Sequence, residues 1–245
     1  MTMERMPEGS IDVILTSPPY NISRAISERA LSNNECKYGQ YADSLANKEY
    51  IEWTKRIFDS FKRILAPNGV VLYNMSYGSE SPEKSELMFR VVGELLKTWK
   101  MGDCIVWKKK TAAPNNVSPN HLTRICEFIF VMCQNWEYHA NKKSTGTSNT
   151  GQTMYENVYN IIQAENNDGD CPIHKATFST SLVFKLLELY GVPGGVCYDP
   201  FMGTGTTAIG CLEWGMNYIG SEIDQSYCRY AQKRVQSWLD EPKLW

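Results

Sequence analysis

No long hydrophobic run interrupts this sequence. The longest plainly apolar stretch, Phe128 to Cys133, falls far short of the roughly 20 residues that span a bilayer, so no membrane-crossing helix is expected. The first ten residues carry Glu4, Arg5, Pro7, Glu8 and Gly9 in place of an apolar signal core, which argues against secretion. Charge of one sign is also lacking: 25 Lys and Arg against 27 Asp and Glu leave a formal charge of −2. That balance excludes a globally basic coat for nucleic acid and leaves room for a local patch. The eight cysteines (36, 104, 126, 133, 171, 197, 211, 228) form no Cys-x-x-Cys pair and no regular framework. Several sit in apolar segments, so buried free thiols and a reducing, intracellular compartment are expected. His121, His139 and His174 are scattered without ligand spacing, so no metal site is expected. With 42% hydrophobic residues in a chain of 245, a proper core is available and a single domain over 1–245 is expected.

What is present is an alternation of short strands and amphipathic helices. Ile11 to Leu15 is a β-branched strand that stops at Thr16-Ser17-Pro18-Pro19-Tyr20, because two prolines cannot continue a central ladder. Residues 21–47 are polar with little periodicity and read as a mobile loop, a candidate lid. From Lys48 the apolar positions recur at three- and four-residue steps as far as Leu65, where Pro67-Asn68-Gly69 ends the helix. Val70 to Asn74 is a buried strand, Leu87 to Trp99 a second helix, Cys104 to Trp107 a third strand and Glu127 to Met132 a fourth, antiparallel one. Residues 134–172 turn to Asn, Thr, Ser, Gly and Lys and read as an excursion from the core. Helical spacing returns at Phe178 to Tyr190, followed by a strand (Val196 to Asp199), a helix (Ala208 to Trp214), a strand (Tyr218 to Glu222) and a last helix (Tyr227 to Leu239). Strand-helix-strand repetition of this kind builds a mostly parallel α/β sheet covered on both faces.

Two loops at strand ends carry chemistry. After Asp199 comes Pro200-Phe201-Met202-Gly203-Thr204-Gly205-Thr206-Thr207, in which Gly203 and Gly205 let backbone approach a ligand and the following helix offers free amides. The next strand ends in Glu222, where a carboxylate can accept from both hydroxyls of a ribose. The alternative is a tight turn packed for structure. A dinucleotide is disfavoured, since the third glycine of that fingerprint is missing. The other loop holds Ser17, Pro18, Pro19 and Tyr20. Its prolines fix a row of carbonyl acceptors, Ser17 adds an oxygen and Tyr20 a flat ring, a set that suits a planar group bearing an amino substituent, such as a nucleobase. An ordinary Pro-Pro turn with Tyr20 in the core is the alternative here.

Together these residues resemble the amino-methyltransferases that modify exocyclic nitrogens of DNA bases with S-adenosylmethionine. T-S-P-P-Y at 16–20 is similar to their catalytic loop, D-P-F-M-G-T-G-T-T at 199–207 to their cofactor loop, and Y-I-G-S-E-I-D at 218–224 to their ribose-binding strand end. The catalytic loop comes first, as in the circularly permuted group called the beta class. The resemblance implies a Rossmann-like methyltransferase fold and double-stranded DNA as partner. It also implies a base swung out of the helix, its amino group held by Ser17 and the Pro18 carbonyl, with Tyr20 stacked on its ring. Asp199, Pro200, Phe201, Gly203, Gly205, Thr206, Thr207 and Glu222 would hold the cofactor, with Phe178 behind its methionine part.

Ser17 leans toward cytosine N4, since Asp before Pro-Pro-Tyr more often accompanies adenine N6. Sequence readout would fall to residues 134–172 and 21–47, both short, which suits a short site or help from a second subunit in a homodimer. Family members commonly carry a further strand ending in Gly-Asp ahead of the catalytic-loop strand, and none is found in the ten residues before Ile11. A methyltransferase-like module that binds without turnover is therefore the competing expectation. Family habit also implies a paired restriction nuclease. Between 101 and 145, six basic residues (Lys108, Lys109, Lys110, Arg124, Lys142, Lys143) against three acidic ones (Asp103, Glu127, Glu137) leave a local +3 that could track phosphates.

Overall fold

A computed structural model describes residues 3–21, 45–77, 82–112, 114–116, 118–169 and 177–242. Its centre is a seven-stranded sheet made of β1 (Ile11–Thr16), β2 (Leu65–Met75), β3 (Lys100–Lys109), β4 (Cys126–Cys133), β7 (Ile161–Ala164), β8 (Val196–Asp199) and β9 (Asn217–Gly220), in the order β7-β3-β4-β2-β1-β8-β9. The pairings of β1 with β2 and β8, of β8 with β9 and of β3 with β7 are parallel. Only β4 runs against its neighbours β2 and β3. This is the α/β, Rossmann-like arrangement with one antiparallel strand.

Alternation along the strands sorts the core into two layers, as a period of two requires. Ile14, Val71, Tyr73, Phe130, Met132 and Tyr198 face one side, where α1 (Asn47–Ile64) and α2 (Pro82–Leu95) supply Phe58, Phe61, Leu87 and Val91. Val13, Leu15, Leu72, Ile129, Val131 and Cys197 face the other, against Leu182, Val183 and Leu186 of α3 (Thr180–Tyr190) and Cys211 of α4 (Thr206–Trp214). The last helix, α5 (Gln225–Asp240), starts at Asp224, whose carboxylate accepts the amides of Ser226 and Tyr227. The same Ser226 contacts hold the Asp224 carboxyl below its ordinary pKa.

Several boundaries differ from the periodic reading. Helix α2 begins at Pro82, where a missing N–H costs nothing in the first turn, and ends before Trp99. Trp99 kept the helical spacing because it packs edge-on against Phe58, with ring centroids 5.4 Å apart. Pro67 and Asn68 interrupt β2 rather than precede it: Leu65 pairs with Ile11 and Val70 with Val13, so the intervening residues bulge outward. Residues 161–164, inside the polar stretch, form the edge strand β7, while β5 (Ser144–Thr147) and β6 (Thr153–Tyr155) make a separate exposed hairpin. The candidate lid lies almost entirely outside the described residues, as do Cys36 and Cys171. The six described cysteines are free, and Cys133, Cys197 and Cys211 are buried.

Candidate functional site

Strand β1 leads through α1 to β2 on one side, and β8 leads through α4 to β9 on the other, so the sheet's order reverses between β1 and β8. Ligands bind outside the carboxyl ends of strands at such a point. Both predicted loops leave from it. They are joined by a buried bond from Thr16 Oγ1 to Asp199 Oδ1 at 2.9 Å.

Asp199 is 1% exposed and all its contacts are internal. Oδ1 also accepts the Phe201 amide at 2.9 Å, and Oδ2 accepts Thr207 Oγ1 at 2.6 Å. Burial drives its pKa up from 3.8 to about 6, against the opposing pull of these three donors. The carboxylate thus braces the cofactor loop from beneath. Glu222 stands two residues beyond β9, with Oε1 accepting the amides of Ile223 and Asp224 and Oε2 that of Gly203 at 2.8 Å. Three of about four acceptor positions are therefore filled, leaving room for one ribose hydroxyl rather than two.

The loop fits the expected cofactor. Gly203 lies at φ +54 with only Phe201 O, at 3.9 Å, near the place of a Cβ, which gives an open cradle. The amides of Thr206, Thr207 and Ala208, the first turn of α4, donate to no described residue, as helix N-termini dictate. The Thr204 hydroxyl is buried without a partner among the described residues. The Thr206 and Thr207 hydroxyls are already committed, to Arg234 Nη1 at 3.1 Å and to Asp199. Pro200, lacking an N–H, follows the end of β8, and Phe201 packs on Trp53 of α1 with centroids 5.6 Å apart. Phe178 sits on the opposite face with Leu15, Leu72 and Asn74.

On the catalytic-loop side, Pro19 O accepts Tyr50 Oη at 2.7 Å, whereas Pro18 O has no partner among the described residues. Asn21 closes the loop at φ 53, a left-handed conformation that asparagine tolerates. Its side chain holds Leu45 O at 2.8 Å. Ser17 Oγ lies 2.8 Å from Tyr20 Oη, which donates to Glu127 Oε2 at 2.9 Å and accepts from Asn74 Nδ2 at 2.8 Å. Asn74 Nδ2 also reaches Glu127 Oε2 at 2.9 Å, and Lys109 Nζ pairs with Glu127 Oε1. Burial, followed by the nearby Glu127 charge, holds the Tyr20 phenol well above its ordinary pKa.

Asn74, Glu127 and Lys109 were missed as site residues. Their signal was a polar residue at the end of an otherwise apolar strand, and it became meaningful only once the strands were paired. The same contacts reduce the basic patch. Lys109 and Lys110 are in ion pairs with Glu127 and Glu165, and Arg124 stacks over Tyr77 at 4.3 Å. Lys108, Lys142 and Lys143 remain exposed and make no ion pair with a described residue.

Known proteins point the same way. The family model for N6 and N4 methyltransferases, described as DNA methylase, matches residues 11–233. The type II methyltransferase M.Cfr9I of Citrobacter freundii is 26% identical over 270 residues, covering 96% of this chain and 84% of the relative. M.XycI of Xanthomonas campestris pv. cyanopsidis is 24% identical, with 96% and 84% covered. Among solved structures, the cytosine-N4-specific PvuII DNA methyltransferase superposes with a TM-score of 0.71 at 17% identity, covering 97% of this chain and 86% of that one. M1.HpyAVI in complex with SAM gives 0.60 at 19%, with 96% and 91% covered. The family match takes in both loops and all seven strands of the sheet, and the chain belongs to the N6/N4 family of DNA methylases, S-adenosylmethionine-dependent enzymes that methylate amino groups.

Proposed function

We propose that this protein methylates the exocyclic N4 of cytosine in double-stranded DNA, on a base swung out of the helix. The observation that carries the reading is the Thr16–Asp199 bond, which joins the loop of Ser17 and Pro18 to the loop that holds Gly203. Bound S-adenosylmethionine supplies an electrophilic methyl group on a sulfonium centre. Phe201, the open face at Gly203, the α4 amides and the remaining acceptor position of Glu222 would hold it.

An exocyclic nitrogen is a poor nucleophile while its lone pair is conjugated with the ring. Ser17 Oγ and the Pro18 carbonyl, unpartnered among the described residues, would accept its two N–H bonds and turn the lone pair toward the methyl group, an effect of orientation and charge placement. The Tyr20 ring, its hydroxyl tethered, would stack on the base for on the order of 1–3 kcal/mol. The β5–β6 hairpin, with Met154 and Tyr155 more than half exposed, and Tyr159 beyond it, are assigned to reading the DNA.

Cytosine is favoured by Ser17 in place of Asp and by the likeness to the PvuII enzyme. The test is incubation with S-adenosylmethionine and mixed-sequence duplex DNA, followed by digestion to nucleosides and mass spectrometry. N4-methylcytosine is the expected product. N6-methyladenine would keep the chemistry and overturn the base assignment; absence of any methylated base would leave the binding-module reading.

A further inference from the structure

The hydroxyls behind the catalytic loop form a chain whose direction can be worked out from its members. Tyr20 has one proton and two lone pairs on its oxygen. Glu127, as a carboxylate, only accepts, and its Oε2 is 2.9 Å from that oxygen, so the Tyr20 proton goes there. Asn74 is fixed in turn, because its amide reaches the same Oε2 at 2.9 Å, and the flipped amide would set two acceptors against each other. Asn74 Nδ2 therefore donates to Tyr20 at 2.8 Å and fills one lone pair. The second lone pair, 2.8 Å from Ser17 Oγ, can only receive the Ser17 proton. The raised pKa of Tyr20 agrees with this count, since the phenol keeps the single proton that it must pass on.

We infer that Glu127 is a positioning residue that orients this chain so that Ser17 turns a lone pair, and not a proton, toward the substrate amino group. The inference rests on the amino-methylation reading above. Lys109, paired with Oε1, leaves Oε2 for Tyr20 and Asn74. The price of the arrangement is visible in Asn74 Oδ1, buried without a partner among the described residues. Beside Ser17, the Pro18 carbonyl, which has no partner among the described residues, is also acceptor-only, so the two neighbours present the same polarity to the two N–H bonds of one amino group.

Glu127→Gln is isosteric and unlocks the chain. Its carbonyl turns to Lys109 and its amide to Tyr20 and Asn74; Asn74 must flip to meet it, the single Tyr20 proton is then shared between the flipped Asn74 oxygen and Ser17, and Ser17 no longer has its own proton held away from the substrate. Single-turnover methylation, normalised to cofactor-binding sites counted by titration, is measured for wild type, Glu127→Gln, Tyr20→Phe and the double variant. We expect Glu127→Gln to lower the rate about 10- to 100-fold, the size of one misdirected hydrogen bond at a reacting group. Cofactor affinity should stay within about twofold of wild type, less than 0.5 kcal/mol. In the Tyr20→Phe background, where the chain is already cut, the same change should cost less than about threefold. A wild-type rate for Glu127→Gln, or an equal loss in both backgrounds, would overturn the inference while leaving the enzyme's function intact. A wild-type protein that methylates no DNA base would overturn the function first and this inference with it.

Discussion

Asp199 allows the brace beneath the cofactor loop to be tested by pH. In the native protein its carboxyl titrates at about 6, and in an unfolded chain near 3.8. Between those values the folded state holds a proton that the unfolded state has lost, so stability falls as pH rises through the window and is level above it. The gap corresponds to about 3 kcal/mol at 1.36 kcal/mol per pH unit, with no discount for solvent because the group is 1% exposed. Asp199→Asn never ionises. It keeps the acceptor for Thr16 and the Phe201 amide and disturbs the bond from Thr207, at about 1 kcal/mol. Urea unfolding at steps from pH 4 to 8 should therefore show the variant about 0.5 kcal/mol less stable than wild type near pH 4. The curves should cross at about pH 4.5, and above pH 6.5 the variant should be about 2 kcal/mol more stable, or roughly 4–8 °C in Tm. A difference between the two proteins that stays flat from pH 4 to 8 would refute the reasoning, since it would mean that Asp199 is not a desolvated acid.

The two loop glycines separate strain from ligand contact. Gly205→Ala, at φ +86 with its Cβ 3.0 Å from that of Ala231, should lower stability by about 1–2 kcal/mol in thermal denaturation. Gly203→Ala, at φ +54 beside open space, should lose a similar amount and in addition weaken S-adenosylmethionine binding more than tenfold by titration calorimetry, because its methyl enters the cradle. Arg234 joins Thr206 to Asp168, whose other oxygen receives the Thr180 amide and hydroxyl, so Arg234→Met should cost about 1–2 kcal/mol and raise the KM for cofactor, measured by steady-state kinetics. If the exposed lysines meet phosphates, Lys142→Ala with Lys143→Ala should reduce the slope of log K against log salt for duplex DNA by about 2, about one per contact, in fluorescence anisotropy. An unchanged slope would place the DNA elsewhere.

Local chemistry made much of this molecule legible in advance. Two prolines had to end β1, the spacing from Tyr50 to Ile64 had to be one face of α1, although Leu65, which kept that spacing, opens β2, and the Asp199-to-Glu222 stretch had to be strand, loop, helix and strand. What stayed hidden depended on pairing across the sheet. Ile161 to Ala164 read as part of a polar excursion because the apolar piece near Val158 to Ile162 is too brief to show a period; only the ladder with Val106 to Lys109 makes it a strand. Asp199 and Glu222 were both taken as ligand groups, yet most of their acceptor capacity goes to the protein's own amides and hydroxyls, a competition that chain spacing does not reveal.

The reversed strand has a role that follows from its direction. In a parallel sheet every strand delivers its last residues to the ligand-binding end. β1, β2, β3 and β8 do so with Thr16, Asn74, Lys109 and Asp199. β4, being antiparallel, delivers its first residues instead, and Glu127 is the second of them. An acid at that position meets Asn74 from β2 and Lys109 from β3 on either side because β4 lies between those strands. Chain order matters little to such a site: Thr16 and Asp199 are 183 residues apart and share one hydrogen bond because their strands are neighbours. A permuted order of the same strands therefore builds the same crevice, so long as β1 stays beside β8 and the start of β4 stays at the end where their loops emerge.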